Sequence, residues 1–172
     1  MRVALNGWFW NRQETGSGQY LRRLTNALSS YVPESEFLIF VPGEQPKETL
    51  PHTKLIFVPV KQSALQKVWW EQVIIPRLAV KYHADVLHIP YWAPPVGAQL
   101  PTVTTVHDLI PLLLPEYRGG LRVRLYTALV SAATPRASMV LTDSQASQLD
   151  IQQNLRIPDT RIRAIHLAVD GN

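Results

Sequence analysis

Residues Thr102–Glu116 read Thr-Val-Thr-Thr-Val-His-Asp-Leu-Ile-Pro-Leu-Leu-Leu-Pro-Glu. The β-branched run Val103, Thr104, Thr105 and Val106 predicts a buried strand, because branching at Cβ suits a packed, pleated surface. His107 and Asp108 follow where that strand ends. Pro111 and Pro115 should keep the next segment out of regular structure, since each lacks an N–H and fixes φ. In open α/β sheets, ligands bind outside the carboxyl ends of the strands. An imidazole beside a carboxylate at such a place can donate and accept hydrogen bonds and change protonation near neutral pH. The reading depends on whether the flanking chain supplies that sheet.

Upstream, Arg2–Asn6 reads as a first strand, and Gly7 opens a long loop through Gly18. A helix is expected from about Gln19 to Tyr31, with Tyr20, Leu21, Leu24, Ala27 and Leu28 on one face and Pro33 closing it. Phe37–Val41 and Leu55–Val60 read as strands. Ala64–Tyr82 has helical spacing in Leu65, Val68, Trp69, Gln72, Ile75 and Leu78, with a kink or break expected at Pro76. Asp85–Ile89 is a fourth strand, entering Pro90-Tyr91-Trp92-Ala93-Pro94-Pro95. Downstream, a helix over about Leu121–Ala137 carries Leu121, Leu125, Ala128, Leu129 and Ala132 on one face, with Arg122 and Arg136 off it. Met139–Thr142 is a short strand, Ser144 to about Asn154 a helix, and Arg161–Ile165 a last strand.

Strands alternating with helices predict an α/β fold: a Rossmann-like, mostly parallel sheet with helices on both faces. Residues 1–172 are read as a single domain. The end at Ala168-Val169-Asp170-Gly171-Asn172 comes just after a strand, with no closing helix, and is read as a domain boundary.

At 46% hydrophobic and 17% charged, the chain has the composition of an ordinary folded domain. A net charge of +4, from 17 Lys and Arg against 13 Asp and Glu, suits an anionic ligand or membrane headgroups. The basic residues are scattered rather than gathered in one patch, so nucleic acid is not an expected partner. Cysteine is absent, which excludes disulfides, cysteine-ligated zinc and a cysteine nucleophile. The first residues are too weakly apolar for a signal peptide, and no run approaches the roughly 18 apolar residues of a spanning helix. The expected location is cytoplasmic.

Thr15-Gly16-Ser17-Gly18-Gln19-Tyr20 lies between the first strand and first helix. Its glycines could admit a ligand to the backbone, and a helix N-terminus offers N–H groups to a diphosphate. A tight turn is the alternative. Leu21 stands where a dinucleotide motif has its third glycine, and no acid ends the second strand to hold a ribose. Asp143-Ser144-Gln145 is either an N-cap or a crevice lining. Trp8, Phe9, Trp10, Tyr91 and Trp92 are either ligand-facing aromatics or buried loop anchors. Trp69 fits the apolar helix face and reads as core, whereas Trp70 points elsewhere and reads as a contact. His88 reads as a core histidine, His52 and His83 as exposed, and His166 as facing something beyond this chain. No His, Asp or Glu cluster has metal-ligand spacing, and neither a Gly-x-Ser-x-Gly elbow nor a Gly-x-x-x-x-Gly-Lys loop occurs.

Six segments in order resemble family 4 retaining glycosyltransferases. They are Thr15-Gly-Ser-Gly-Gln-Tyr-Leu-Arg-Arg-Leu, Trp70-Glu-Gln with Pro76, Asp85-Val-Leu-His-Ile-Pro, Val106-His-Asp-Leu-Ile-Pro, Leu141-Thr-Asp-Ser-Gln-Ala-Ser, and Ile165-His-Leu-Ala-Val-Asp170. Gln19 departs from the pattern, since many members carry a basic residue there. The resemblance implies the N-terminal half of a GT-B architecture, whose C-terminal domain, absent from this chain, holds most of the nucleotide-sugar site. It implies sugar transfer from a nucleoside diphosphate sugar to a carbohydrate or lipid-linked acceptor hydroxyl, with retention and with no metal or other cofactor. It also implies His107 as the catalytic group and Gly16, Ser17, Gly18, Tyr20, Tyr91, Trp92, Asp108 and Ser144 as substrate contacts. Asp108 would orient His107 or bind acceptor. Some members sit on membranes, and Arg118, Arg122, Arg124 and Arg136 would serve a peripheral contact at the inner face; a solvated helix face is the alternative. The competing readings are a nucleotide-sugar epimerase or dehydrogenase on a similar fold, and a binding module without chemistry.

Overall fold

The computed structural model describes residues 1–43, 50–61 and 63–167. The chain forms two compact units, Met1–Pro90 with Gly97–Thr102, and Tyr91–Val96 with Val103–Asn172.

The first unit runs β1 (Arg2–Asn6), α1 (Gly16–Tyr31), β2 (Glu36–Pro42), β3 (Thr53–Val58), α2 (Ala64–Trp69), a π-helical turn (Trp70–Ile74), α3 (Ile75–Lys81) and β4 (Val86–Ile89). Its strands lie in the order β3-β2-β1-β4, all parallel, with Leu5 opposite both Ile39 and His88. Val3–Asn6 and Phe37–Val41 are buried without interruption, the pattern of parallel strands covered on both faces. The chain moves outward from β1 to β2 and returns across β1 from β3 to β4. Right-handed crossovers therefore put α1 on one face and α2–α3 on the other. Val3, Leu5, Trp10, Leu21, Phe37 and Ile39 form the core beneath α1.

Two expectations change here. Helix α1 begins at Gly16, not at about Gln19, because Thr15 caps it: its Oγ1 accepts from the Gly18 amide at 3.1 Å. A side-chain cap satisfies an amide that would otherwise have no partner in the first turn, and that outweighs the poor helix propensity of glycine. In the second helical stretch, Trp70 is fully buried and Trp69 is 56% exposed, the reverse of the expectation. The cause is the π-helical turn, closed by Ile75 N–H on the Trp70 carbonyl. It inserts one residue, so buried Trp70 and Glu71 align with buried Ile75 and Pro76 at a spacing of five. A uniform period of 3.6 selects the wrong tryptophan. Pro76, whose missing N–H suggested a break, instead sits in the first turn of α3.

The second unit contains β5 (Thr102–Thr105), α4 (Ile110–Leu113), α5 (Leu121–Ala133), β6 (Met139–Thr142), α6 (Gln145–Leu155) and β7 (Ile162–Ala164). Strands β5-β6-β7 are parallel and adjacent in that order. Val106, Val140, Ile151, Leu155 and Ile162 anchor the core, with Trp92 packed against it. Pro111 and Pro115 do not exclude regular structure. Each occupies the first turn of a short helix, α4 and a 3₁₀ turn at Pro115–Tyr117, where an absent N–H costs nothing.

Helix α5 ends at Ala133, followed by a 3₁₀ turn at Thr134–Arg136. Its buried residues are Thr127, Val130 and Ala133. The apolar face read from the sequence, centred on Leu121 and Leu125, lies toward solvent. Periodicity marks that face as apolar but carries no information on which side the sheet lies. Asp170, the last residue of the sixth segment, lies outside the described residues. The architecture is α/β and Rossmann-like, with seven parallel strands, four in the first unit and three in the second, flanked by helices.

Candidate functional site

The register of β5 and β6 builds the most reactive arrangement in the second unit. Thr105 pairs with Leu141, and Val106 N–H donates to the Leu141 carbonyl at 2.8 Å. Two residues further on each strand, the same offset sets His107 beside Asp143. His107 Nδ1 and Asp143 Oδ2 are 2.6 Å apart. Both side chains are about a quarter exposed, at 28% and 24%, so the pair is held by the fold yet open to a ligand. An ionised carboxylate only accepts, so Nδ1 carries the proton; the bond selects the tautomer and the tilt of the ring.

The sequence reading couples His107 to Asp108, and the structure separates them. Successive residues leaving an extended strand point to opposite sides. Asp108 is exposed, and its Oδ1 accepts from the Ile110 amide at 2.9 Å, a local turn just before α4. Asp143 was grouped with the α6 cap and missed as the histidine's partner. The signal that could have found it was the common position of both residues just beyond neighbouring parallel strands.

Ser144 is the N-cap of α6: its Oγ accepts from the Ser147 amide at 3.1 Å. Tyr91 is buried, and its carbonyl accepts from Thr104 Oγ1 at 3.3 Å and from the Ala93 amide at 2.8 Å. Trp92 Nε1 donates to Thr134 Oγ1 at 2.9 Å. These aromatics anchor their loop, the alternative left open by the sequence.

In the first unit, the two glycines of the first segment differ. A Cβ on Gly18 would lie 2.0 Å from the Arg12 carbonyl oxygen and 2.9 Å from that of Phe9. Gly18 is therefore required by the loop folding back on α1. A Cβ on Gly16 would meet nothing within 4 Å, so only there is the backbone open. Ser17 and Tyr20 lie in the first turns of α1 and are partly exposed.

A buried polar cluster that the sequence reading did not single out closes the carboxyl end of β1. Asn6 Oδ1 accepts from the Trp8 amide at 3.1 Å and from Trp70 Nε1 at 2.8 Å. The next residue, Glu71, is fully buried and ion-paired with Lys67. Lys67 Nζ and the Arg12 guanidinium lie 5.8 and 6.0 Å from the centre of the Phe9 ring. Trp8 and Trp10 are buried anchors, which leaves Phe9 as the partly exposed aromatic of that loop.

His88, in β4, is buried, and loss of hydration lowers its pKa from 6.5 to about 4. It is a neutral core histidine at physiological pH, as the sequence suggests. His52, His83 and His166 are exposed. Shallow cavities of about 450 and 370 Å³ are lined by neither His107 nor Asp143 nor Gly16 nor Gly18, so neither hollow is the candidate site. Among the described residues, no group of three or more His, Cys, Asp or Glu is placed to hold a metal ion.

The family model described as Glycosyltransferase Family 4 matches residues 15–172. No curated protein matches. Among solved structures, sucrose-phosphate synthase from Thermosynechococcus elongatus is similar with a TM-score of 0.67 and 16% identity, over 98% of this chain and 48% of that one. A glycosyltransferase from Rickettsia africae gives 0.51 and 12%, over 98% and 43%. UDP-GlcNAc 2-epimerase from Methanocaldococcus jannaschii gives 0.57 and 10%, over 95% and 44%. At such identities these structures speak for the shared fold alone. The chain spans about half the length of each.

Proposed function

Since the chain belongs to Glycosyltransferase Family 4, we propose that it is the acceptor-side, N-terminal half of a GT-B enzyme. That enzyme transfers a sugar from a nucleoside diphosphate sugar to an acceptor hydroxyl with retention of anomeric configuration. The observation that carries this reading is His107, positioned by Asp143 at adjacent strand ends and partly open to solvent. Ligands of open α/β sheets bind outside such ends.

In a retaining transfer of this kind the departing diphosphate gathers negative charge, and its oxygen takes the acceptor proton. The protein then needs no strong base; its larger task is to hold the sugar and stabilise the leaving charge. His107 touches the donor sugar, with Asp143 as its positioning residue. Asp108 uses one oxygen to accept from the Ile110 amide and offers the other to an acceptor hydroxyl. Ser144 and the open backbone at Gly16 are further substrate contacts, with Ser17 and Tyr20 beside Gly16. The Gly18, Tyr91 and Trp92 side of the reading is support: they shape the loops rather than meet the sugar. The nucleotide is held by the remainder of the protein, and no metal takes part.

The test is sugar transfer by the whole protein against a panel of nucleotide sugars. His107→Ala is expected to lower kcat at least tenfold with an unchanged melting temperature. Asp143→Asn should also lower kcat, because the amide can donate to Nδ1 and favour the wrong tautomer. Asp108→Asn should act chiefly on the acceptor KM. Near-wild-type transfer by His107→Ala would defeat the assignment.

A further inference from the structure

In the first unit, two cations converge on one aromatic ring. Arg12 lies in the loop after β1 and Lys67 in α2, yet the guanidinium and Nζ are 6.0 and 5.8 Å from the centre of the Phe9 ring. That ring is displayed rather than packed away. Trp8 and Trp10 on either side are 3% and 0% exposed, while Phe9 is partly exposed. The backbone that carries Arg12 is fixed. Its N–H donates to the Phe9 carbonyl at 2.9 Å, and its carbonyl accepts from the Thr15 amide at 3.1 Å and from Thr15 Oγ1 at 2.8 Å.

The lysine is held by Glu71, whose side chain is fully buried while that of Lys67 is 23% exposed. A carboxylate removed from water is costly unless a partner charge compensates it. The pair does little for the helix. Lys ahead of Glu at this spacing is the less favourable order, and the two residues fall on opposite sides of the junction between α2 and the π-helical turn. The arrangement does fix a lysine head at the surface. Its place is the ligand end of the sheet: Trp70, next to Glu71, donates to Asn6, the last residue of β1, and open α/β sheets bind ligands outside such ends.

We propose that Arg12 and Lys67 form a subsite for an anionic group on the acceptor, a phosphate or a carboxylate, with the Phe9 ring against the attached carbon skeleton. Two cations and one carboxylate leave a net charge of +1 there. The guanidinium fork matches two oxygens of either anion, and the ammonium adds a point charge. The ring face attracts both cations and supplies apolar area for the rest of the ligand. Cation–ring contacts by themselves would need no buried acid behind the lysine. That the ligand is the acceptor rests on the acceptor-side reading above; that it is an anion does not.

The experiment is calorimetry on the whole protein without donor, at constant ionic strength, with glucose, glucose 6-phosphate, glucuronate and inorganic phosphate. One or both anionic sugars should bind at least tenfold more tightly than glucose, and more weakly as salt rises. Arg12→Gln should lower that affinity by about tenfold or more, the usual cost of losing a charge-assisted hydrogen bond. Lys67→Gln alone would leave Glu71 unpaired, so the lysine is tested as Lys67→Gln/Glu71→Gln, with the same expected loss. Phe9→Ala should weaken glucose 6-phosphate more than inorganic phosphate. Arg122→Gln, an exposed arginine of α5, controls for net charge and should bind as the parent does. Melting curves identify the folded variants. Glucose bound as tightly as the anions, or no anion bound, would overturn the proposal. So would parent-like anion binding by folded Arg12→Gln or by the folded double variant, or an equal loss in the Arg122 control. A protein that binds the anion at Arg12 and Lys67 but transfers no sugar would instead strike the proposed function and leave the subsite.

Discussion

The burial of His88 makes folding stability depend on pH in a window that can be calculated. Its pKa is about 4 in the folded chain and 6.5 when solvated, because His88, buried in β4 opposite Leu5 of β1, has too little hydration for an imidazolium. The difference is 6.5 − 4, and each pK unit corresponds to about 1.36 kcal/mol, giving roughly 3 kcal/mol. The sign follows from proton counting. Between pH 6.5 and 4 the unfolded chain binds a proton at this site that the folded chain refuses. Stability from neutral His88 is complete above pH 6.5 and is lost as pH falls toward 4. The perturbation is His88→Gln, which cannot titrate. Urea unfolding followed by tryptophan fluorescence, at steps from pH 7.5 to pH 4, gives the free energy of each protein. The parent should lose about 3 kcal/mol more than the variant across that range. A nuclear magnetic resonance titration of the His88 ring should show its midpoint near 4. Equal acid sensitivity of the two proteins, or a midpoint near 6.5, would refute the reasoning.

Two further comparisons test the local geometry. Gly18→Ala should destabilise by about 2 kcal/mol or more, because its methyl group meets backbone oxygens that cannot yield, whereas Gly16→Ala should be neutral or stabilise by up to about 1 kcal/mol. Thermal unfolding of both variants decides this, and equal effects would mean that the loop does not pack on α1 as described. Trp70→Ala should cost about 3–5 kcal/mol through an unfilled core site, while Trp69→Ala should change stability by no more than about 0.5 kcal/mol. Reversal of that order in urea titrations would remove the π-helical turn from the account.

Most of the architecture was legible because its signals are local. Val103–Val106 and Phe37–Val41 are β-branched or apolar runs of strand length, and each is separated from the next by a segment with helical spacing. The exceptions share one physical origin. A period of 3.6 applied through residues 64–82 cannot register a single inserted residue, so it exchanged Trp69 for Trp70. The same period found the apolar strip of α5 but left open whether core or solvent meets it, because apolar character on one face says nothing of what covers it. Glycine propensity argued against a helix at Gly16, but the Thr15 hydroxyl outweighed it.

The candidate site divides in the same way. Sequence alone determined that His107 stands at a strand end, because β-branched residues and the following Asp-Leu-Ile-Pro mark where the strand stops. It also determined the kind of chain, through six short segments in a fixed order. Only the tertiary structure decided which carboxylate holds the imidazole. Adjacency along the chain favours Asp108, but hydrogen bonding between parallel strands brings together residues 36 positions apart and selects Asp143. Only the tertiary structure, too, decided that Leu121 and Leu125 face outward. Local propensity and period are properties of a segment, whereas partner choice and exposure are properties of what the rest of the fold places against it.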